Sequence, residues 1–169
     1  MGLHHVKIVI VSMLLIASNN AYSASVASFP VDWQDWPVVA RHQVYSADTV
    51  LPADTSAFLQ ESVYAYTWMN NGQGSPLTLR VHPDKLEQYK THGPYTDGVT
   101  VIAVAESSDV IWVTEHLGGF PVYGSYNFKG EDITDTHPSL SPDFCHSCHY
   151  VNKDICINGT CYTPEDQGE

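Results

Sequence analysis

At 169 residues the chain suits one domain with a real core, and its seven Lys and Arg face 19 Asp and Glu, a formal charge of −12. A surface of that sign repels nucleic acid and anionic lipid, so neither is an expected partner. It suits a cationic partner, such as a basic electron-transfer protein, as readily as it suits plain solubility.

The first stretch stands apart from the domain. Lys7 and two nearby histidines precede an apolar run from Ile8 to Ala17, and Ala21-Tyr22-Ser23 places small residues where a signal peptidase reads. Residues 1–23 therefore read as a cleaved secretory signal, cut after Ser23, with 24–169 as a single domain. The run falls short of the ~20 apolar residues that span a bilayer. A retained signal anchor is the competing reading. No later stretch is long and apolar enough to span. The mature chain then has six basic and 19 acidic side chains, a charge of −13, and is expected to be periplasmic or secreted, away from the membrane.

Residues 24–44 carry Trp33 and Trp36 around Pro30 and Pro37, and their pattern does not separate helix from strand. Between Ala53 and Met69 apolar residues fall at 58, 59, 63, 66 and 69, roughly helical in spacing, and Asp54-Thr55-Ser56 can cap a helix start. The β-branched and aromatic run from Val63 to Trp68 argues for a strand in the second half. Asn70-Asn71-Gly72-Gln73-Gly74-Ser75-Pro76 is a turn. Leu77 to Val81 alternates as a half-buried strand, and Pro83-Asp84 starts a short helix through Tyr89 and Lys90. Val99–Ala105, Val110–Thr114 and Val122–Phe128 are three closely spaced strands, separated by Ser107-Ser108-Asp109 and Gly118-Gly119. That spacing predicts an antiparallel meander, a mainly β (α+β) fold with peripheral helices. An irregular, proline-containing segment would follow and carry Cys145.

All four cysteines lie between 145 and 161. Cys145-His146-Ser147-Cys148-His149 has the C-x-x-C-H spacing of c-type haem attachment. Two thiols so spaced reach the two vinyl groups on one porphyrin edge, and the following histidine becomes the proximal iron ligand. Cys145, Cys148 and His149 are the candidate cofactor-binding residues, with His149 on the metal; the cofactor is covalent haem c. His146 is a spacer expected at the surface. Cys156 and Cys161 then remain for each other, closed by an Asn158-Gly159 turn into a small disulfide loop. A four-cysteine zinc site and two plain disulfides are the alternatives, the zinc spacing being short. Asn158-Gly159-Thr160 matches a glycosylation acceptor but reads as turn chemistry inside this loop.

The order of the upstream pieces adds a family. Leu79-Arg80-Val81-His82-Pro83-Asp84-Lys85-Leu86, then Tyr89-Lys90 and Tyr95-Thr96-Asp97-Gly98-Val99-Thr100-Val101-Ile102, resembles the central block of the cytochrome P-460 family. Tyr123-Gly124-Ser125-Tyr126-Asn127-Phe128 with Gly130-Glu131-Asp132 is similar to its next aromatic strand and turn, and the haem motif follows in place. The resemblance covers roughly residues 75–150. It implies an antiparallel, about five-stranded sheet, often dimeric, around a c-type haem with one histidine ligand and an open distal face. Some members oxidise hydroxylamine at a haem with an added lysine cross-link. Their relatives, the β-type cytochromes c-prime, lack the cross-link and bind nitric oxide in a hydrophobic pocket.

Two residues are candidate catalytic groups on that resemblance. Lys90 lies in the helix block where cross-linking members carry their lysine, although Thr91 matches the position as well and a solvated lysine is the plainer reading. Glu115, ending a strand, would relay protons during hydroxylamine oxidation if it faced the haem, and is otherwise an exposed strand-end carboxylate. Met69 and histidines 42, 82, 92, 116 and 137 are further possible iron ligands, with core packing the expected role of Met69. Tyr123, Tyr126 and Phe128 are expected in sheet core or pocket wall. Three functions stay open: a hydroxylamine oxidoreductase, a module binding NO or a similar small ligand, and a six-coordinate electron carrier.

Overall fold

A computed structural model describes residues 24–157 and 160–161. The leader assigned to residues 1–23 and the Asn158-Gly159 turn, with the acceptor motif that includes it, lie outside the described residues. Strands β1 (Val38–Val44), β2 (Ser75–Val81), β3 (Thr100–Ala105), β4 (Val110–Leu117) and β5 (Phe120–Tyr126) form one five-stranded antiparallel sheet in chain order. Helix α1 (Ala57–Ala65) lies in the β1–β2 connection and the one-turn α2 (Leu86–Tyr89) in the next. Helix α3 (Pro142–Val151) follows the sheet and packs on β5, and a two-stranded ribbon, β6 (Cys156–Ile157) and β7 (Thr160–Cys161), follows it. The fold is α+β, as the alternation and turn spacing imply. Among the described residues no helix is long and apolar enough to cross a membrane.

The two faces of the sheet are filled differently. Because side chains alternate along a strand, Ile102, Val104, Ile111 and Val113 share one face, where Ala27, Trp33, Trp36 and Tyr126 close over them. An N-terminal strap brings in Ala27, Trp33 and Trp36, Tyr126 coming from β5 itself: Val26 N and Ala27 N both donate to Tyr123 O, at 2.9 and 3.1 Å. Gly124 permits the approach, since a Cβ there would lie 2.9 Å from Ala27 O. On the opposite face Val81, Tyr89, Tyr95 and Val99 pack together at one end. Met69, fully buried, packs with Ala105, Val110 and Leu140 in a second cluster. Met69 is core.

Two segments differ from the sequence expectation, and a third, left open between helix and strand, is a strand. The run from Val63 to Trp68 is the end of α1 and a following turn: Ser56 caps the helix by accepting from Leu59 N (3.3 Å), and the helix runs on through Ala65 against the β propensity of its second half. Residues 38–44 form the edge strand β1. The segment that carries Cys145 is a regular helix, started by Pro142 in its first turn and capped by Ser141 Oγ, which accepts from Phe144 N at 3.2 Å. Low helix propensity made that helix hard to read, yet its Ser-Pro start was visible.

The unequal filling predicts unequal mutational costs. In the cofactor-free protein Ile111→Ala should cost about 2–5 kcal/mol, as a large-to-small change in a packed core does. Leu79→Ala, at a half-exposed position of the other face, should cost about 1 kcal/mol or less. Urea denaturation of the two variants measures the difference.

Candidate functional site

Between the two end clusters, the second sheet face borders a cavity of about 1230 Å³, larger than the ~300–1,000 Å³ of ordinary small-molecule sites. Its floor is Leu77 and Leu79 from β2, Val101 and Ala103 from β3, Trp112 and Thr114 from β4, and Tyr123 from β5. Its opposite wall is α1, through Phe58, Leu59, Ser62 and Val63. No residue of α1 is buried, although its apolar side chains face inward. Two apolar walls thus confront each other across the cavity.

Helix α3 supplies the third wall and the chemistry. Residues at i, i+3 and i+4 share one helix face, so Cys145, Cys148 and His149 all line the cavity. His146, on another face of the helix, is exposed. Neither Cys145 nor Cys148 is in a disulfide, whereas Cys156 and Cys161 are joined to each other. Burial pushes the Cys145 thiol up to about 12 and raises that of Cys148, so both are protonated thiols at neutral pH. A zinc centre needs thiolates and a full ligand set. The one His/Cys group within mutual reach among the described residues is His149, Cys156 and Cys161, and its sulfurs are spent in the disulfide.

His149 is half-exposed by surface area, but that surface faces the cavity more than bulk solvent. Burial, with a smaller contribution from the neighbouring His146 charge, brings its imidazole down to about 4. It is neutral at pH 7, with a lone pair to offer. Its ring lies 5.1 Å from that of Tyr123, and its Nδ1 lies 3.6 Å from Cys161 Sγ.

The remaining lining is nearly free of charge. Glu61, exposed and 3.5 Å from Asn152 Nδ2, is its one carboxylate, and no Lys or Arg lines it among the described residues. Tyr66 stands edge-on to Trp112 at 5.2 Å, and burial and the nearby Cys145 and Cys148 hold its phenol well above the usual range. Trp112 Nε1 is buried with no hydrogen-bond partner, a donor in the wall awaiting an acceptor. His42 and His137 also line the cavity. The His137 ring stacks on Trp68 at 4.5 Å, and its Nδ1 is 2.8 Å from Ser139 Oγ.

The structure does not bring Lys90 or Glu115 to this site. Lys90 is solvent-exposed and pairs with Glu87 at 2.8 Å. Glu115 has the parity of Val113, so it points to the opposite face, where it accepts from Ser28 N at 3.0 Å and steadies the strap. The catalytic roles given to the two residues therefore have no geometry to act through. Of the other histidines, His116 is core beneath Tyr95, and His82 accepts from Asp84 N to start a helical turn. Tyr123 is pocket wall, while Tyr126 and Phe128 belong to the opposite core. Tyr66, Trp112 and the inner face of α1 were not anticipated. Strand parity, set by Val113 against Trp112 and Thr114, was the available signal.

Compared with known protein families, with curated proteins and with solved structures, the chain shows no match in any of the three.

A pH dependence follows from His149. Its folded proton affinity is below the unfolded one, so in cofactor-free protein its contribution is complete above pH ~6.5 and is lost as pH falls from there to about 4. The loss should be at most roughly 3 kcal/mol, less where water enters the cavity. His149→Gln should flatten that part of the stability–pH curve, measured by denaturation at stepped pH.

Proposed function

We propose that this is an exported c-type haem protein that binds a small uncharged ligand, such as NO, at an open iron face. The observation that carries the reading is the convergence of two unpaired thiols and a neutral imidazole on one large apolar cavity. The donor set fits the cofactor. Cys145 and Cys148 would hold the group through thioethers, each S–H adding across a vinyl double bond with no change of oxidation state. His149 would hold the iron through Nε2, since its Nδ1 is turned to Cys161. The sheet floor and the α1 wall supply the apolar contact a porphyrin needs; covering each half-exposed leucine is worth roughly 1 kcal/mol. When bound, the haem supplies an iron that can take a diatomic ligand.

The resemblance to the cytochrome P-460 family agrees with this reading and leaves its two branches to be separated. The lining favours the non-catalytic branch. Hydroxylamine oxidation must move protons, and neither Lys90 nor Glu115 is at the cavity to assist. A largely apolar wall with a single carboxylate disfavours ions and suits a neutral gas. A second reading, a six-coordinate electron carrier, has His42 and His137 at the cavity in its favour.

Expression with a c-type maturation system should give haem that resists acid–acetone extraction. Cys148→Ser should lose most of that covalent haem, read by haem staining after denaturing electrophoresis. The ferrous protein should be five-coordinate and shift its Soret band on adding CO or NO. Freely extractable haem overturns the reading, and a low-spin spectrum indifferent to CO favours the carrier. Lys90→Ala should leave the spectrum unchanged; a lost red-shifted band in that variant would restore the cross-linked enzyme.

A further inference from the structure

The disulfide ribbon β6–β7 has no part in the attachment chemistry, yet it is built against the proximal histidine. Cys156 and Cys161 are cross-strand partners, Cys156 is buried, and both Thr160 and Cys161 line the cavity. The ribbon is tied to the last turn of α3. Cys156 N donates to Asn152 O (2.8 Å), and Asn152 Nδ2 donates to Cys148 O (2.9 Å). The result is that Cys161 Sγ sits 3.6 Å from His149 Nδ1.

A metal-bound histidine usually donates its second ring N–H to a carbonyl, carboxylate or water, which fixes the ring and raises its basicity. Here the atom at that position is a disulfide sulfur, a weak acceptor. The ribbon therefore fixes the ring while leaving it a poor electron donor. Tyr123 meets the same ring and supplies only an aromatic contact.

Resting on the haem reading above, we propose that Cys161, held by its bond to Cys156, is a positioning residue for His149 that keeps the axial imidazole weakly basic. Such a ligand favours ferrous over ferric iron and gives a weak iron–histidine bond, both suited to reversible binding of a neutral gas. The site is tuned for ligand capture by a bond outside its ligand set.

The test uses haem-loaded protein and two double variants. Cys156→Ser with Cys161→Ser places a stronger acceptor near Nδ1. It should raise the iron–histidine stretching frequency of the ferrous protein, lower the midpoint potential, and change CO release by roughly tenfold. Cys156→Ala with Cys161→Ala removes the acceptor, and should broaden the band without raising it. Should neither variant fold, the wild-type disulfide is reduced in the ferrous protein by a phosphine, which takes up oxygen from water as the two sulfurs become thiols. A shifted or broadened band is then expected. An unchanged frequency and potential, with covalent haem present, overturns the positioning role. Absence of covalent haem in the wild type overturns the underlying reading instead.

Discussion

The constraint on which the rest of this molecule depends is a sheet with two apolar faces, of which the described residues pack closely over one. The strap that carries Ala27, Trp33 and Trp36 seals the first face. On the second, side chains gather only at the ends, and α1 stands off from the middle without burying a residue. Protein interiors pack like organic crystals, so apolar walls that face each other across such a distance define the shape of what belongs between them. A largely apolar group, such as the haem proposed above, would suit those walls.

Helix α3 turns the cavity into a site. An extended segment would send Cys145 and Cys148 to opposite sides, since three residues is an odd step along a strand. Helical geometry puts both thiols and His149 on one face, and the packing of α3 on β5 aims that face inward. The same burial that keeps the thiols protonated keeps the imidazole neutral. One environment thus prepares a bond-forming pair and a ligand.

How much of this was legible varied with the physics behind each signal. Strands β2 to β5 were readable because alternation and Gly or Asp-Gly turns are local facts. The disulfide was readable by cysteine arithmetic and is present. The stretch from Val63 to Trp68 misled because its β-branched and aromatic residues serve the end of a cavity-facing helix and the turn after it. Strand β1 was hidden because an edge strand need not alternate cleanly. Glu115 was placed by its position near a strand end, when its parity with Val113 already put it on the face away from Thr114. Lys90 was placed by resemblance alone, and no residue-level pattern stood behind it.

Tyr123 joins the two ends of the described chain. Its carbonyl receives the strap through Val26 and Ala27, and its ring abuts His149. Nearby, Ser25 and Ser125 bond across a separation of 100 residues. Contacts that distant in sequence form late in folding. The thiols, local to one helix, need not wait for them. On the haem reading proposed above, covalent capture and final coordination would be separable in time: the cofactor would be tethered on a partly folded chain, and its environment completed only when the strap at residues 25–27 closes onto β5.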